Sequence, residues 1–287
     1  MALVTLVRPK HWIKNLFVVI PLLVSGNLFN QVLLWPSLLG FVAFCLVSSA
    51  VYVFNDMIDI ANDRNHPKKR DRPLAAGEVT LNQAIFLIII LLLLTTLICI
   101  RLNLFSIFML VAYSLLNILY SLIIKRYAII DIISISLGFV CRVQMGVFIT
   151  ELNTSAWLLV LTFSLSMLLA LGKRKAELHL ETTDTRKSLG SYTKEFIGSL
   201  ELVFLTNTLV FYVMYTFFSE TFPGDLSLFA FSSIFVVAGL SRYLYLTINE
   251  QFENLYDPVE ILYKDKFILV SVILWVFYLY ICVLLIK

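Results

Sequence analysis

The sequence predicts an all-α integral membrane protein, a bundle of about nine transmembrane helices in a single domain over residues 1–287. Only 14% of the residues are charged, whereas a soluble domain carries about 25%. The mean hydropathy is +0.91. Apolar runs close to the roughly 20 residues that a helix needs to cross a bilayer recur along the whole chain.

The predicted spans are continuous apolar runs. Alternating segments of about ten residues would indicate a β-barrel, whereas continuous runs favour helices, which satisfy their own backbone hydrogen bonds in lipid. The nine spans cover residues 14–33, 35–54, 84–101, 104–123, 129–149, 156–172, 199–218, 228–247 and 267–286. The three longest hydrophilic stretches, which we expect to carry the functional loops, are residues 55–80, 173–198 and 248–266.

Lysine and arginine are distributed unevenly between the two sides of the predicted bundle. With the N-terminus in the cytoplasm, nineteen of the 22 lie on the cytoplasmic side, as the positive-inside rule requires. This side would attract anionic substrates or lipids. The cysteines all fall inside apolar spans without metal-ligand spacing, which indicates packing residues: Cys45, Cys99, Cys141 and Cys282.

The most informative stretch, NDMIDIANDRNHPKKRDRP at residues 55–73, directly follows an uncharged span. If the helix continues to His66, where Pro67 disfavours continuation, Asp56, Asp59 and Asp63 fall within a sector of roughly 60°. Clustered carboxylates beside a membrane need a compensating cation, and Mg²⁺ binds carboxylates together with substrate phosphates.

The basic residues that follow these acids would hold phosphate oxygens that the metal does not bind, arginine as a planar fork and lysine as a point charge. They are Arg64, Lys68, Lys69, Arg70 and Arg72. A metal-bridged di- or triphosphate is the simplest ligand that meets both requirements. The alternative is that the basic run is an ordinary solvated loop at the positive-inside surface.

Other polar residues gather on the same predicted side, and Arg142 lies about three helical turns deeper within a span, where an ionisable residue is a functional candidate. The candidates at the cytoplasmic ends are Lys14, Tyr120, Lys125, Arg126, Asp131, Lys173, Arg174, Glu177, Arg186 and Tyr192. Each cluster alone could be a positive-inside flank. Their convergence with the acidic helix favours a binding site.

These motifs resemble a known family. The element NDxxDxxxD at residues 55–63 is similar to the first aspartate-rich motif of the UbiA superfamily of intramembrane prenyltransferases, which are nine-helix bundles. Further motifs resemble its decaprenyl-phosphate phosphoribosyltransferase branch: RPKHWIKN, HPxKxxRPxAAG, YSLxxK, GFVxR, KRxAE and YDPVEILYKD. The similarity runs over nearly the whole chain.

The resemblance implies transfer of 5-phosphoribosyl from 5-phosphoribosyl 1-diphosphate to a polyprenyl phosphate at the cytoplasmic face of the bacterial inner membrane. The magnesium ligands would be Asn55, Asp56, Asp59 and Asp63. The diphosphate or the sugar 5-phosphate would be bound by Lys69, Arg70 and Arg72. Candidates for either phosphate are Lys14, Lys125 and Arg126, and those for the lipid phosphate are Arg142 and Lys173. The supporting substrate-binding candidates are Tyr120, Asp131, Arg174, Glu177, Arg186 and Tyr192.

One departure from the superfamily pattern discriminates between activities. Aromatic prenyltransferases carry a second aspartate-rich motif of the DxxxD type, but here Asp131 is followed four positions later by Ile135. This counts against prenyl transfer to an aromatic acceptor, the first alternative. A transporter with Asp131 and Arg142 along its pathway, or a non-catalytic lipid-binding scaffold, is less consistent with three aligned acids. We expect no nucleic-acid partner, and the sequence leaves the oligomeric state open.

Overall fold

The computed structural model describes residues 2–66, 69–152, 155–179, 189–218, 226–249, 261 and 264–286. Within these residues all regular secondary structure is helical. The α-helices are α1 (Ala2–Val7), α2 (Ile20–Val24), α3 (Gln31–Ile58), α4 (Ile60–Asn65), α5 (Leu81–Cys99), α6 (Leu104–Leu122), α7 (Ile130–Thr150), α8 (Ala156–His179), α9 (Lys194–Phe218), α10 (Leu226–Phe231), α11 (Ser233–Ile248) and α12 (Lys266–Ile286). Three 3-10 helices cover Pro9–Val18, Ile124–Arg126 and Leu189–Ser191.

Seven helical segments of the described residues are long and apolar enough to cross a membrane, and α12 contributes a shorter apolar segment, Lys266–Cys282. The seven are Gln31–Ile58, Leu81–Cys99, Leu104–Leu122, Ile130–Thr150, Ala156–Leu178, Lys194–Phe218 and Leu228–Ile248. Eight of the nine predicted spans therefore coincide with apolar helical segments. The all-helical membrane fold class is confirmed.

The predicted span 14–33 differs, because no single helix covers it. The 3-10 helix Pro9–Val18 is followed by the short α2, and Gly26 then takes a positive φ of 69° before α3 begins. A positive φ suits glycine, which lacks the Cβ that would clash. The chain therefore enters the bundle as an interrupted segment.

Helices α3 and α7 form the centre of the bundle. They are the most buried of the candidate spans, while α5, α6 and α11 are mostly exposed along theirs. Helix α7 packs against α6 and α8, α8 against α9, and α11 against α12, whereas α5 packs against α3. The apolar side chains exposed on α5, such as Phe86, Leu93 and Leu97, are typical of a lipid-facing surface.

The interrupted N-terminal segment, residues 8–24, packs against the two central helices. At Gly146 on α7, an added Cβ would lie only 2.0 Å from the Val18 carbonyl oxygen, so the two backbones meet where only glycine fits. Toward α3, the Trp12 indole N–H donates to Ser49 Oγ at 3.0 Å, and the Ser49 hydroxyl donates to the Val7 carbonyl at 2.8 Å. These contacts hold the segment in the interior.

Helix α3 continues toward the site as predicted, with one break. It ends at Ile58, Asp59 takes φ −92° and ψ 5°, and α4 resumes at Ile60. Backbone hydrogen bonds from Asp59 to Asn55 and from Asp63 to Asp59 cross the break. The chain becomes extended at His66, the residue before a proline, as the sequence predicts.

Candidate active site

Two buried carboxylates at the end of α3 and in α4 meet on one arginine. Arg72 Nη1 lies 3.0 Å from Asp56 Oδ1 and 2.7 Å from Asp63 Oδ2. Asp56 is 2% exposed and Asp63 is 4% exposed. Burial raises the pKa of Asp63, an effect that the positive charge and hydrogen bond of Arg72 oppose and that neighbouring Asp56 reinforces. A cation beside Asp63 therefore favours its charged form.

A second arginine reaches the same pair from the N-terminal segment. Arg8 Nη2 lies 2.5 Å from Asp56 Oδ1, and the Arg8 guanidinium carbon stands 5.3 Å from the centre of the Tyr52 ring. Arg8 has a left-handed backbone (φ 54°), which is uncommon for a residue with a Cβ. Arg8 is not among the site residues that the sequence pattern predicts, although it opens the motif RPKHWIKN.

Asp59 faces a different partner from the other two acids. Its Oδ1 lies 2.5 Å from Lys125 Nζ, which follows α6 in the 3-10 helix Ile124–Arg126. In the described part of the chain, no three or more His, Cys, Asp or Glu side chains come together as a possible metal site. The predicted cluster of three acids therefore resolves into a pair, Asp56 with Asp63, and a separate Asp59–Lys125 ion pair.

The Asp56–Asp63 pair nevertheless fits a divalent cation. Oxygens from both carboxylates lie within 3.0 Å of a single cationic atom, Arg72 Nη1, so a cation can bridge them at that position. Mg²⁺ takes oxygen ligands and usually binds one or two carboxylates together with substrate phosphates. The predicted ligand Asn55 also lies near the end of α3. Its backbone carbonyl accepts the Asp59 backbone N–H.

Asp131, at the start of α7, is fully buried in a second polar network. Its Oδ2 accepts from Arg174 Nε at 2.9 Å, and its Oδ1 accepts from the Tyr192 hydroxyl at 2.7 Å and from the Ile132 backbone N–H at 2.9 Å. Arg174 also donates to Glu177 at 2.6 Å and to the Tyr120 hydroxyl at 3.3 Å.

The Tyr192 hydroxyl connects this network to the loop before α7. It accepts the backbone N–H of Ile129, which has a positive φ of 69°. Burial is the first cause that raises the pKa of Tyr192, and its hydrogen bond to Asp131 adds to the effect, so the phenol stays protonated at neutral pH. Both oxygens of Asp131 are thus occupied by hydrogen-bond donors.

The sequence comparison decides the family. The profile of the UbiA prenyltransferase family matches residues 9–181, which include the N-terminal segment, both carboxylates of the pair and Arg174. The chain belongs to the UbiA prenyltransferase family. Multiple apolar helices and this membership make it a multi-pass membrane protein.

Two relatives match this UbiA family member over nearly its whole length. The decaprenyl-phosphate phosphoribosyltransferase of Mycolicibacterium smegmatis is 32% identical over 290 residues, covering 96% of this chain and 90% of that protein. The protein of the same name from Mycobacterium tuberculosis is 30% identical over 277 residues, covering 94% and 90%.

A solved structure confirms the UbiA fold. The UbiA homologue from Archaeoglobus fulgidus, determined with GPP and Mg²⁺ bound, superposes with a TM-score of 0.77 over 99% of both chains. The sequence identity is 17%, so the likeness concerns the fold.

The structure of this UbiA protein divides the predicted basic residues into two groups. Lys69 lies close enough to Asp63 to act on it electrostatically, and Arg72 contacts the carboxylate pair directly. Arg70 points outward, with 68% of its side chain exposed beside Asp71, and Arg64 donates to the Ala75 carbonyl. Lys68 lies outside the described residues.

The remaining candidates occupy three different environments. Lys125 pairs with Asp59 at the site rim, while Arg126 is exposed and Lys173 is half-buried on α8. Lys14 Nζ lies 3.4 Å from His11 Nδ1 in the N-terminal segment. Three further candidates, Arg174, Glu177 and Tyr120, lie in the Asp131 network.

Some predicted site residues fall outside the described part of the chain. Arg186 is one, as are parts of the three predicted loops: residues 67–68, 180–188, 250–260 and 262–263. Arg142 is buried near the middle of α7 and does not contact the carboxylate pair.

Proposed function

We propose that the protein transfers 5-phosphoribosyl from 5-phosphoribosyl 1-diphosphate to a polyprenyl monophosphate, with release of pyrophosphate. The observation that carries the proposal is the buried Asp56–Arg72–Asp63 arrangement, which combines a divalent-cation site with an arginine suited to phosphate. Similarity to two near-full-length relatives named decaprenyl-phosphate phosphoribosyltransferase supports this choice of substrates.

Asp56 and Asp63 would hold Mg²⁺ on the sugar diphosphate. Bound there, the ion would supply positive charge to the diphosphate oxygens and so stabilise pyrophosphate as a leaving group. Arg72 now bridges both carboxylates, so occupation by the metal would free its guanidinium to bind phosphate oxygens. Arg8 and Lys69, also beside the pair, are positioned to neutralise the same diphosphate.

The reaction is a displacement at the ribose C1 atom. An oxygen of the acceptor phosphate forms a bond to C1, while the bond from C1 to the diphosphate oxygen breaks and its electron pair leaves with pyrophosphate. A phosphate monoester has a second pKa of about 6, so the acceptor is largely ionised at neutral pH. The chain therefore needs no general base, and its own task is to orient the two phosphates and stabilise the leaving group.

The arrangement around Asp131 supports phosphoribosyl transfer over prenyl transfer. A second diphosphate-bound metal would need a free carboxylate pair, but position 135 is isoleucine, and the oxygens of Asp131 accept hydrogen bonds from Arg174 and Tyr192. In this proposal cations alone, among them Lys125 and Lys173, hold the lipid phosphate.

The carboxylate pair would face the cytoplasm of a bacterial cell from the inner membrane. The concentration of lysine and arginine on that side supports this orientation. It would bring the water-soluble sugar donor from the cytoplasm and the lipid acceptor from the bilayer to the same membrane surface.

The deciding experiment combines purified protein in detergent with 5-phosphoribosyl 1-diphosphate, Mg²⁺ and decaprenyl phosphate. We expect pyrophosphate release that requires both the lipid and the metal, together with a lipid product heavier by one phosphoribosyl group. If the same preparation instead consumes a prenyl diphosphate in the presence of an aromatic acceptor, the proposal is wrong and the chain is a prenyltransferase.

A further inference from the structure

Arg142 is a buried arginine in the membrane interior whose hydrogen-bond partners among the described residues are all neutral. Its Nε donates to Asn15 Oδ1 at 2.9 Å, its Nη1 to the Gly138 carbonyl at 2.7 Å, and its Nη2 to the Tyr113 hydroxyl at 3.1 Å. The guanidinium carbon also lies 4.8 Å from the ring centre of Phe44 and 4.7 Å from that of Tyr113. The side chain is therefore fixed in place.

No carboxylate within the described ranges pairs with Arg142, in contrast to Arg174, which binds two. Arg142 is 4% exposed and lies about 18 Å along α7 from Ile130, at about 1.5 Å per residue. A buried charge in a membrane is costly unless it is paired, and such charges commonly serve function. Ring contacts and neutral acceptors orient the guanidinium but leave its net charge in place.

The charge of Arg142 is connected to the candidate active site through the N-terminal segment. The Tyr113 hydroxyl is within electrostatic range of Arg142, Lys14 and Tyr52. The Tyr52 ring lies 5.5 Å from the His11 ring and beneath the Arg8 guanidinium, which reaches Asp56. Positive charge therefore extends from the carboxylate pair into the membrane interior.

We propose that Arg142 is a positioning residue. Its charge, unpaired with any carboxylate of the described ranges, acts together with Lys14 to attract a phosphate monoester dianion to the membrane side of the Asp56–Asp63 pair. This rests on the proposed function, in which both substrates carry such a group, as the sugar 5-phosphate or as the lipid phosphate. Arg142 acts through Tyr113 and Lys14, because it is itself too buried to touch a substrate in this arrangement.

The neutrality of Asn15 is central to this proposal. Asn15 is 1% exposed, and its amide N–H group donates to Ser48 Oγ at 3.1 Å while its oxygen accepts from Arg142. An aspartate has nearly the same shape and would be a stronger partner for arginine. It would also cancel the positive charge, so asparagine at this position keeps the charge available to a ligand.

The test compares Asn15→Asp, Arg142→Lys and Arg142→Met. Under the proposal, Asn15→Asp retains its melting temperature but raises the KM for one of the two phosphate substrates by about tenfold or more. Arg142→Lys, which keeps the charge, preserves that KM better than Arg142→Met. The substrate whose KM changes shows whether the sugar 5-phosphate or the lipid phosphate is attracted.

Asn30→Asp is the matched control, since it makes the same substitution at the exposed N-cap of α3, where the side chain accepts the Val32 backbone N–H and can still do so as a carboxylate. We expect it to leave both KM values unchanged. A purely structural role for Arg142 predicts the opposite pattern. Asn15→Asp would then leave both KM values unchanged, and Arg142→Lys and Arg142→Met would change KM and lower the melting temperature to the same extent. That pattern would overturn the proposal.

A binding measurement separates this inference from the proposed reaction. Titrations of the protein with ribose 5-phosphate and with farnesyl monophosphate are compared with ribose and farnesol, and each is repeated with Asn15→Asp. We expect one phosphate monoester to bind more tightly than its uncharged counterpart, and the difference to shrink about tenfold in the variant. Equal binding of charged and uncharged ligands by the unmodified protein would refute the inference whatever reaction the enzyme catalyses.

Discussion

At the residue scale, Asp56 and Asp63 carry the same carboxylate as the nearby Asp71 but differ from it in burial and in their partners. Both belong to the buried pair bridged by Arg72, whereas the Asp71 side chain is 81% exposed. We expect Asp56→Asn and Asp63→Asn each to lower magnesium-dependent pyrophosphate release by about 100-fold or more, equivalent to about 2.7 kcal/mol. Asp71→Asn should retain turnover. Full activity in Asp63→Asn would remove that residue from the metal site.

Arg174 gives a prediction about stability. Its guanidinium is buried between Asp131 and Glu177, so Arg174→Met removes the cation that contacts both carboxylates, of which Asp131 is fully buried. Removing one partner of a buried ion pair costs about 3–5 kcal/mol, and we expect a clear fall in melting temperature. The double variant Asp131→Asn with Arg174→Met should recover part of that loss. Equal melting temperatures for the single and double variants would mean that the Asp131 carboxylate costs little once Arg174 is gone.

Helical spacing in the sequence predicts only in part which carboxylates the structure brings together. Asp56 and Asp63 were predicted from helical spacing, because the helix continues almost to His66. The same spacing groups Asp59 with them, but in the structure α3 ends just before Asp59 and its carboxylate pairs with Lys125. Arg8 was missed, since its place beside Asp56 depends on how the N-terminal segment packs, which no local pattern encodes.

At the scale of elements, the contact between the N-terminal segment and α7 depends on Gly146. An alanine Cβ there would lie 2.0 Å from the Val18 carbonyl oxygen, so Gly146→Ala must displace the segment that carries Arg8 and Lys14. We expect a lower melting temperature and reduced turnover. Gly198→Ala is the control, because nothing lies within 4 Å of an added Cβ on α9, and alanine favours helix by about 1 kcal/mol. If Gly146→Ala left both the melting temperature and the turnover unchanged, the close contact between the N-terminal segment and α7 would not be required for either.

The ion pair between α11 and the start of α12 gives a pH-dependent prediction. Partial burial would raise the pKa of Asp265, but hydrogen bonds from Arg242 and the Ile268 backbone outweigh it and hold the pKa below its ordinary value. Its stabilisation is therefore present above the unfolded pKa of about 3.9 and is lost as the pH falls through the lower folded value.

Because Arg242 is about one-third exposed, this pair is worth no more than about 1 kcal/mol. We expect Asp265→Asn to lower the melting temperature slightly at pH 7 and pH 5, with the difference from the unmodified protein shrinking near pH 3. A difference that persists unchanged to pH 3 would assign the effect to the Ile268 backbone cap instead of the charge.

Element prediction from hydropathy was correct for α3 and for the other long apolar helices, because length and apolar composition alone determine whether a helix can span a bilayer. It failed for residues 14–33. Apolar composition does not show that the chain turns at Gly26, which has a positive φ. Nor does it show that Asn15 forms hydrogen bonds with Arg142 and Ser48, which hold the interrupted segment inside the bundle.

For the molecule as a whole, orientation in the membrane determines whether the proposed chemistry is possible. In the proposed reaction the donor is a multiply charged, water-soluble diphosphate, which requires the carboxylate pair to open to the cytoplasm. In the structure, Asp71 follows α4 at the site end of the bundle, while Glu151 follows α7 at the other end. These two positions report opposite sides of the membrane.

We therefore predict the labelling of Asp71→Cys and Glu151→Cys by a membrane-impermeant maleimide in spheroplasts. Glu151→Cys should react in intact spheroplasts, and Asp71→Cys only after the membrane is opened, because its exposed side chain would face the cytoplasm. The unmodified protein is the control for the native cysteines, which are all buried or half-buried. The reverse pattern would place Asp56 and Asp63 outside the cell, out of reach of cytoplasmic sugar diphosphate, and would contradict both the orientation and the proposed reaction.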